Sequence, residues 1–169
     1  DMGGAGVVNS DLIAGGAGSD VILHADDHLE VNGDLTAADS VVITAGTDVR
    51  PGTQSILLSD AARITTSEAG GEIRVAGVND VLIATTIGDT GADPDLIRLV
   101  SSDGTLTLDR DTGRVIAGAP VDIAGAEVDI AGTVTSTAVT ADTTDHEVTI
   151  TATGTATITG QVMGPDVDE

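Results

Sequence analysis

Phenylalanine, tyrosine and tryptophan are all absent from the 169 residues of this chain. Globular cores lean on aromatic rings because each ring buries a large area. A fold without them must gather its burial from many small steps of Val, Ile, Leu and Ala. Stacked solenoid coils do this, each covering the next with a ladder of aliphatic side chains. Cysteine is absent too, which excludes disulfide staples and thiolate metal sites. Lysine is missing, so all six basic residues are arginine. No apolar run approaches the ~20 residues of a membrane-spanning helix, and no signal peptide is visible. The chain opens on Asp1 rather than Met, so it reads as an excerpt or processed piece of something longer, whose export is left open.

Against six basic residues stand 28 acidic ones, a net charge of −22, with Asp far commoner than Glu. Asp is a poor strand former, so these carboxylates are expected at turns and on outward positions. Such a surface repels nucleic acid and anionic membranes. It tolerates high salt, which screens the self-repulsion, or it recruits divalent cations. A saline or calcium-rich habitat fits both. Disorder is the ordinary reading of an acidic chain without aromatics, but the 40% hydrophobic content is high and sharply patterned.

The pattern has period two almost throughout, in short bursts separated by Gly, Asp, Asn and Ser, which is a strand-and-turn signature. Val21-Ile22-Leu23-His24-Ala25 aligns with Val41-Val42-Ile43-Thr44-Ala45. Taking Leu23, Ile43, Ile64 and Ile83 as equivalent, with Ile123 two periods further on, gives coils of about 20 residues. A second box places two apolar residues two apart, then Gly, then another apolar residue. It occurs as Leu29-Val31-Gly33-Leu35, Val128-Ile130-Gly132-Val134 and Ala156-Ile158-Gly160-Val162. Its apolar members point inward while Glu30, Asp129, Thr133 and Thr157 face out, and its glycine lets the backbone turn a corner where a Cβ would clash. Residues 86–96 read as a protruding loop. Residues 105–117 read as a β-hairpin turning at Arg110-Asp111-Thr112-Gly113, with Gly113 able to take positive φ. No apolar 3.6-residue period persists long enough for a helix.

The boxes VILHADDHLEVNGDLTA and VDIAGAEVDIAGTVTS resemble the repeats of filamentous hemagglutinin-type adhesins. That resemblance implies a secreted, right-handed parallel β-helix with coils of roughly this length. The Asn-rich and Gly-Gly-rich corners of that family are mostly replaced here by Asp and Thr. The same boxes are similar to the shafts of tailed-virus spikes and fibres, where three chains intertwine, and both readings stand.

Candidate chemical sites are few. Gly15-Gly16-Ala17-Gly18-Ser19-Asp20-Val21-Ile22-Leu23 matches the calcium-binding nonapeptide GGxGxDxUx, but the tandem copy such a site needs is missing, so a Gly-rich turn ending at Asp20 competes with it. Asp89, Asp93 and Asp95 in one loop, and Asp109 and Asp111 in another, offer the oxygens that calcium prefers. Neither stretch has EF-hand spacing, and solvated acidic turns are the plainer reading. Calcium at these six aspartates is therefore the cofactor expectation, with none required. His24, Asp26, Asp27 and His28 form a small cluster better read as turn histidines than as a zinc site; His146 stands apart. From Thr149 to Thr159 threonine holds every odd position, a row that resembles ice-binding solenoids only if it stacks across several coils. No nucleophile elbow or triad spacing occurs, and no single carboxylate pair stands out.

These features predict an all-β chain: a parallel β-solenoid over residues 20–163 of about six to eight coils. A Gly-rich lead-in over 1–19, the excursion near 86–117 and an acidic tail over 164–169 complete it. The expected function is non-enzymatic, a structural and adhesive segment of a long extracellular filament or surface adhesin. Its partners would be neighbouring repeats or copies of itself, with a cell-surface receptor or glycan at the far end; neither nucleic acid nor membrane insertion is expected. A homotrimeric virus-fibre shaft, hence a virion location, is the alternative. A polysaccharide-cleaving β-helix enzyme is a third reading, disfavoured by the lack of aromatics to line a cleft.

Overall fold

The computed structural model describes residues 4–46, 54–68, 70–88, 96–136 and 148–164. Short alternating segments this rich in Val, Ile and Thr fit a pleated, half-buried surface, and every element among the described residues is a strand. The strands form three walls around an aliphatic core. The first wall stacks β3 (Val21–Ala25), β6 (Val41–Ala45), β9 (Glu72–Gly77), the first half of β12 (Leu96–Leu108), the first half of β14 (Val121–Ile130) and β16 (Val148–Ala152). The second stacks β1 (Gly6–Val8), β4 (Leu29–Val31), β7 (Gln54–Leu58), β10 (Asp80–Ile83), the second halves of β12 and β14, and β17 (Ala156–Ile158). The third is the seven-stranded sheet of β2 (Leu12–Ala14), β5 (Leu35–Ala37), β8 (Arg63–Thr66), β11 (Thr86–Ile87), β13 (Arg114–Ala117), β15 (Thr133–Ser136) and β18 (Gln161–Met163).

All pairings between these strands are parallel, and the chain visits the walls in a fixed cyclic order. The molecule is a parallel β-solenoid of about six turns. Inward residues stack on their own kind. Val21, Val41, Ile73, Ile97, Val121 and Val148 form one ladder, and Leu35, Ile64, Ile87, Val115 and Val134 another. Ile43, Ile64, Ile83, Ile123 and Ile130 are all buried, each worth roughly 1.5–3 kcal/mol relative to exposure. Asp122 and Asp129 point outward, half-buried among neighbouring rungs.

The Gly box is the true repeat. Leu29, Ile56, Val81, Leu106, Val128 and Ala156 occupy one ladder, so its three copies are structurally equivalent. Each glycine lies against the backbone of the coil before it. A Cβ on Gly33 would strike the Ser10 carbonyl, one on Gly132 the Gly113 oxygen, and one on Gly160 the Gly132 oxygen.

The 20-residue period is corrected. Leu23 stacks on Ile43, and Ile123 belongs to the same ladder, but Val75 follows Ile43 there. Ile64 lies on the third wall between Leu35 and Ile87, and Ile83 on the second between Leu58 and Leu108. The true step varies, from Val21 to Val41 but then from Val41 to Ile73, so no single period describes the coils. The hairpin is also corrected. Its two runs end up on different walls, β12 pairing with β10 and β14 and β13 with β11 and β15, all in parallel. Gly113 does not adopt positive φ; a Cβ there would collide with Asp109 and with the Ile83 carbonyl. Residues 86–88 and 96 are in coils rather than in an excursion, and 89–95 lie outside the described residues. The ladder also starts before residue 20, since β1 and β2 already pair with β4 and β5.

Candidate functional site

The aspartates carry most of the charge. A parallel coil leaves amide groups at each corner that the strand ladder does not satisfy, and buried or half-buried amides need acceptors. Here a side chain at or beside the start of a strand segment accepts an N–H from the matching corner one coil later. On the first wall Asp20 Oδ1 accepts from Ser40 N at 3.1 Å, and Ser40 Oγ accepts from Glu72 N at 3.0 Å. On the third, Asp11 Oδ1 accepts from Asp34 N at 3.0 Å. On the second, Ser55 Oγ accepts from Asn79 N and Asp80 Oδ1 from Thr105 N, both at 2.8 Å. Ser101 Oγ donates to the Asn79 carbonyl at 2.7 Å, so Ser55, Asn79 and Ser101 make a buried polar chain along this edge.

Of the six aspartates expected to hold calcium, Asp20 and Asp109 accept hydrogen bonds at corners. Asp20 is a corner acceptor in a Gly-rich turn, in which Gly18 takes positive φ (67°) and Ser19 N donates to Gly16 O at 2.9 Å. Asp109 Oδ1 accepts from Asp111 N at 2.9 Å, from Thr112 N at 3.2 Å and from Thr112 Oγ1 at 3.0 Å. These bonds, the Asp111 amide first and the Thr112 amide next, hold the Asp109 carboxyl below its ordinary pKa. Asp111 is exposed on the same corner. Asp89, Asp93 and Asp95 lie outside the described residues, as does His146. Among the described residues no group of three or more His, Asp or Glu is close enough to hold a metal ion.

The histidines separate. His24 Nδ1 pairs with Thr44 Oγ1 at 2.8 Å and its Nε2 lies 3.4 Å from Asp26 Oδ1, while His28 Nδ1 donates to the Gln54 carbonyl at 2.7 Å. The threonine run of 149–159 breaks at a corner between β16 and β17. Thr149 stacks on Asp122, Thr151 on Ala124 and Thr157 on Asp129, so its hydroxyls form no row across coils.

Two grooves went unnoticed in the sequence, and both gather arginine. On the first wall, Arg74 and Arg98 stand on adjacent rungs, and Arg98 Nη2 donates to Asp122 Oδ2 at 2.9 Å. With Val100, Ala124 and Thr151 they line a groove of about 380 Å³. On the edge between the second and third walls, a notch of about 430 Å³ is lined by Asp60, Arg63, Thr86, Asp111 and Arg114, among others. Four of the chain's six arginines thus sit at two grooves of an otherwise acidic surface. The signal for the first pair was its spacing, since residues 74 and 98 are one local coil apart; an assumed 20-residue step hid it.

Compared with protein families, with curated proteins and with solved structures, the chain matches none of them. The solenoid therefore stands on its own geometry.

Proposed function

We propose that this chain is a non-enzymatic structural segment of a long extracellular filament or surface adhesin, a shaft whose coils continue into further coils. The observation that carries the reading is the likeness of its two outermost layers. Within the described residues β1, β2 and β3 at one end, and β16, β17 and β18 at the other, have a strand partner on one side only. On the first wall the outer layers present Val21-Leu23-Ala25 and Val148-Ile150-Ala152, the same residue types in the same register. On the second and third walls Val8 and Leu12 match Ile158 and Val162. Val8, Leu12, Leu23, Val148, Ile150 and Val162 are only partly covered and Ile158 is 50% exposed, whereas Val21 and Ala25 are already buried. Another coil laid on either end would extend every ladder with a like residue. Unpaired strand edges of this kind are templates for further pairing, and a repeat buries its faces only against neighbours.

Charge decides how the stacking is achieved. Two separate copies at −22 repel, so joining is favoured by salt, which screens that repulsion, or by covalent continuity with further coils. Sedimentation of the purified chain, with amide exchange on the same samples, tests the reading. Concentration- and salt-dependent elongation, or fast exchange confined to β1–β3 and β16–β18, is expected. A strict monomer with both end layers fully protected would overturn it, and a fixed trimer at all dilutions would favour an intertwined virus-fibre shaft.

A further inference from the structure

The notch between the second and third walls owes its existence to corner length. The corner from Leu58 to Arg63 spans residues 59–62, and that from Leu108 to Arg114 spans 109–113, but the corner between them, from Ile83 to Thr86, is only Ala84 and Thr85. Two long corners thus stand on either side of a short one. The gap has Ala62, Ala84 and Thr85 along its base, with Asp60 and Asp111 on its rims. Arg63, Thr86 and Arg114 stand in register on three successive rungs of the third wall. The two guanidiniums therefore project from positions two rungs apart, about 9.5 Å at the ordinary strand spacing. Both residues are exposed; Arg63 also keeps an interaction within the chain.

We propose that this notch binds an extended, β-linked neutral oligosaccharide laid along the solenoid axis. Three features point to that class. The lining mixes donors (Arg63, Arg114), acceptors (Asp60, Asp111) and the Thr86 and Thr112 hydroxyls, which suits a ligand offering a donor and an acceptor at every hydroxyl. A pyranose in an extended β-linked chain advances by close to one rung, and alternate residues turn over, so the same sugar edge recurs every second rung, as Arg63 and Arg114 do. The rim carboxylates and the net charge of −22 disfavour a polyanion of the same shape. Without an aromatic platform the affinity is modest, and it rests on the hydrogen bonds that a bidentate guanidinium makes.

The test is titration of the whole chain with cellotetraose, followed in nitrogen–proton correlation spectra. Saturable shifts confined to Ala84, Thr85, Thr86 and Thr112 are expected. Arg114→Gln should weaken binding by about tenfold, the loss of one charge-assisted hydrogen bond. Arg98→Gln, in the other groove, should leave it unchanged. Maltotetraose, whose α-linked chain curls away from the rung step, should bind more weakly, as should the β-linked tetraglucuronate at low salt. Scattered or absent shifts, an equal response to maltotetraose, or tighter binding of the tetraglucuronate would each overturn the proposal. If Arg114→Gln disturbs the fold, Asp111→Asn on the exposed rim serves in its place, with the same expected loss.

Discussion

The carboxylate of Asp80 accepts the amide proton of Thr105, the residue that holds the same corner one coil further along. Removing it should leave that amide without its acceptor. Asp80→Ala is expected to cost about 1 kcal/mol, seen as a lower calorimetric Tm, whereas Asp80→Asn keeps a side-chain oxygen and should recover most of the loss. Equal destabilisation by both variants would mean that charge, rather than the acceptor, matters at this corner.

Ile123 and Ile130 lie in the continuous aliphatic core. Ile123→Asp or Ile130→Asp would place an unpaired carboxylate there, at a cost of several kcal/mol. Asp129→Ala, on the outward face of the same strand, should stay within about 0.5 kcal/mol of the parent. Unchanged melting of either isoleucine variant would show the register of β14 to be wrong.

The glycines divide into two kinds. Gly132→Ala drives a methyl group into the carbonyl oxygens of Gly113 and Asp109, whereas a Cβ at Gly15 meets nothing. The first variant should melt well below the parent. The second should match it or gain up to about 1 kcal/mol through the lowered entropy of the unfolded chain. Similar behaviour of the two would contradict the close coil-to-coil contact at Gly132.

Salt should stabilise the chain, since screening relieves repulsion among its excess carboxylates. Comparing calcium with sodium at equal ionic strength separates screening from coordination. A further rise in Tm with millimolar calcium would reveal a bound ion. Identical curves would leave Asp20, Asp109 and Asp111 as corner residues alone.

Acid should loosen the 109–113 corner in particular. Hydrogen bonds hold the Asp109 pKa down in the folded state, so its contribution is present above the ordinary carboxylate pKa of about 4 and is lost as pH falls through the lower folded value. The group is only partly buried and its partners lie within one corner, so the effect is local. The Thr112 amide resonance should broaden or shift with a midpoint below that of exposed aspartates, and Asp109→Asn should abolish that late transition.

The solenoid was legible because alternation survives wherever strands are short and one face is buried. The Gly box was legible because only glycine fits where one coil's backbone lies on the next. The coil length was not. Ile43, Ile64 and Ile83 each sit inward in an apolar alternation, and three walls built from the same few residues cannot be told apart by spacing alone. The hairpin at 105–117 failed for a related reason. An Asp-rich turn between two alternating runs looks the same in sequence whether the second run folds back or passes on to the next wall. The arginine grooves depend on corner lengths and on cross-rung register, neither of which is available until the coils are stacked.

The corners between the second and third walls run from two residues, at Ala84-Thr85 and Ala131-Gly132, to the five of 109–113. The segments joining the third wall to the first include the six residues of 15–20, of which Gly15, Gly16, Ala17 and Gly18 are exposed. Added length is thus best accommodated where the backbone faces solvent rather than where one coil's corner lies on the next. Peptide inserted beside Gly15, where the backbone is exposed and a Cβ meets nothing, should be carried as a side branch that leaves the rung order intact, so this solenoid can display a foreign segment there.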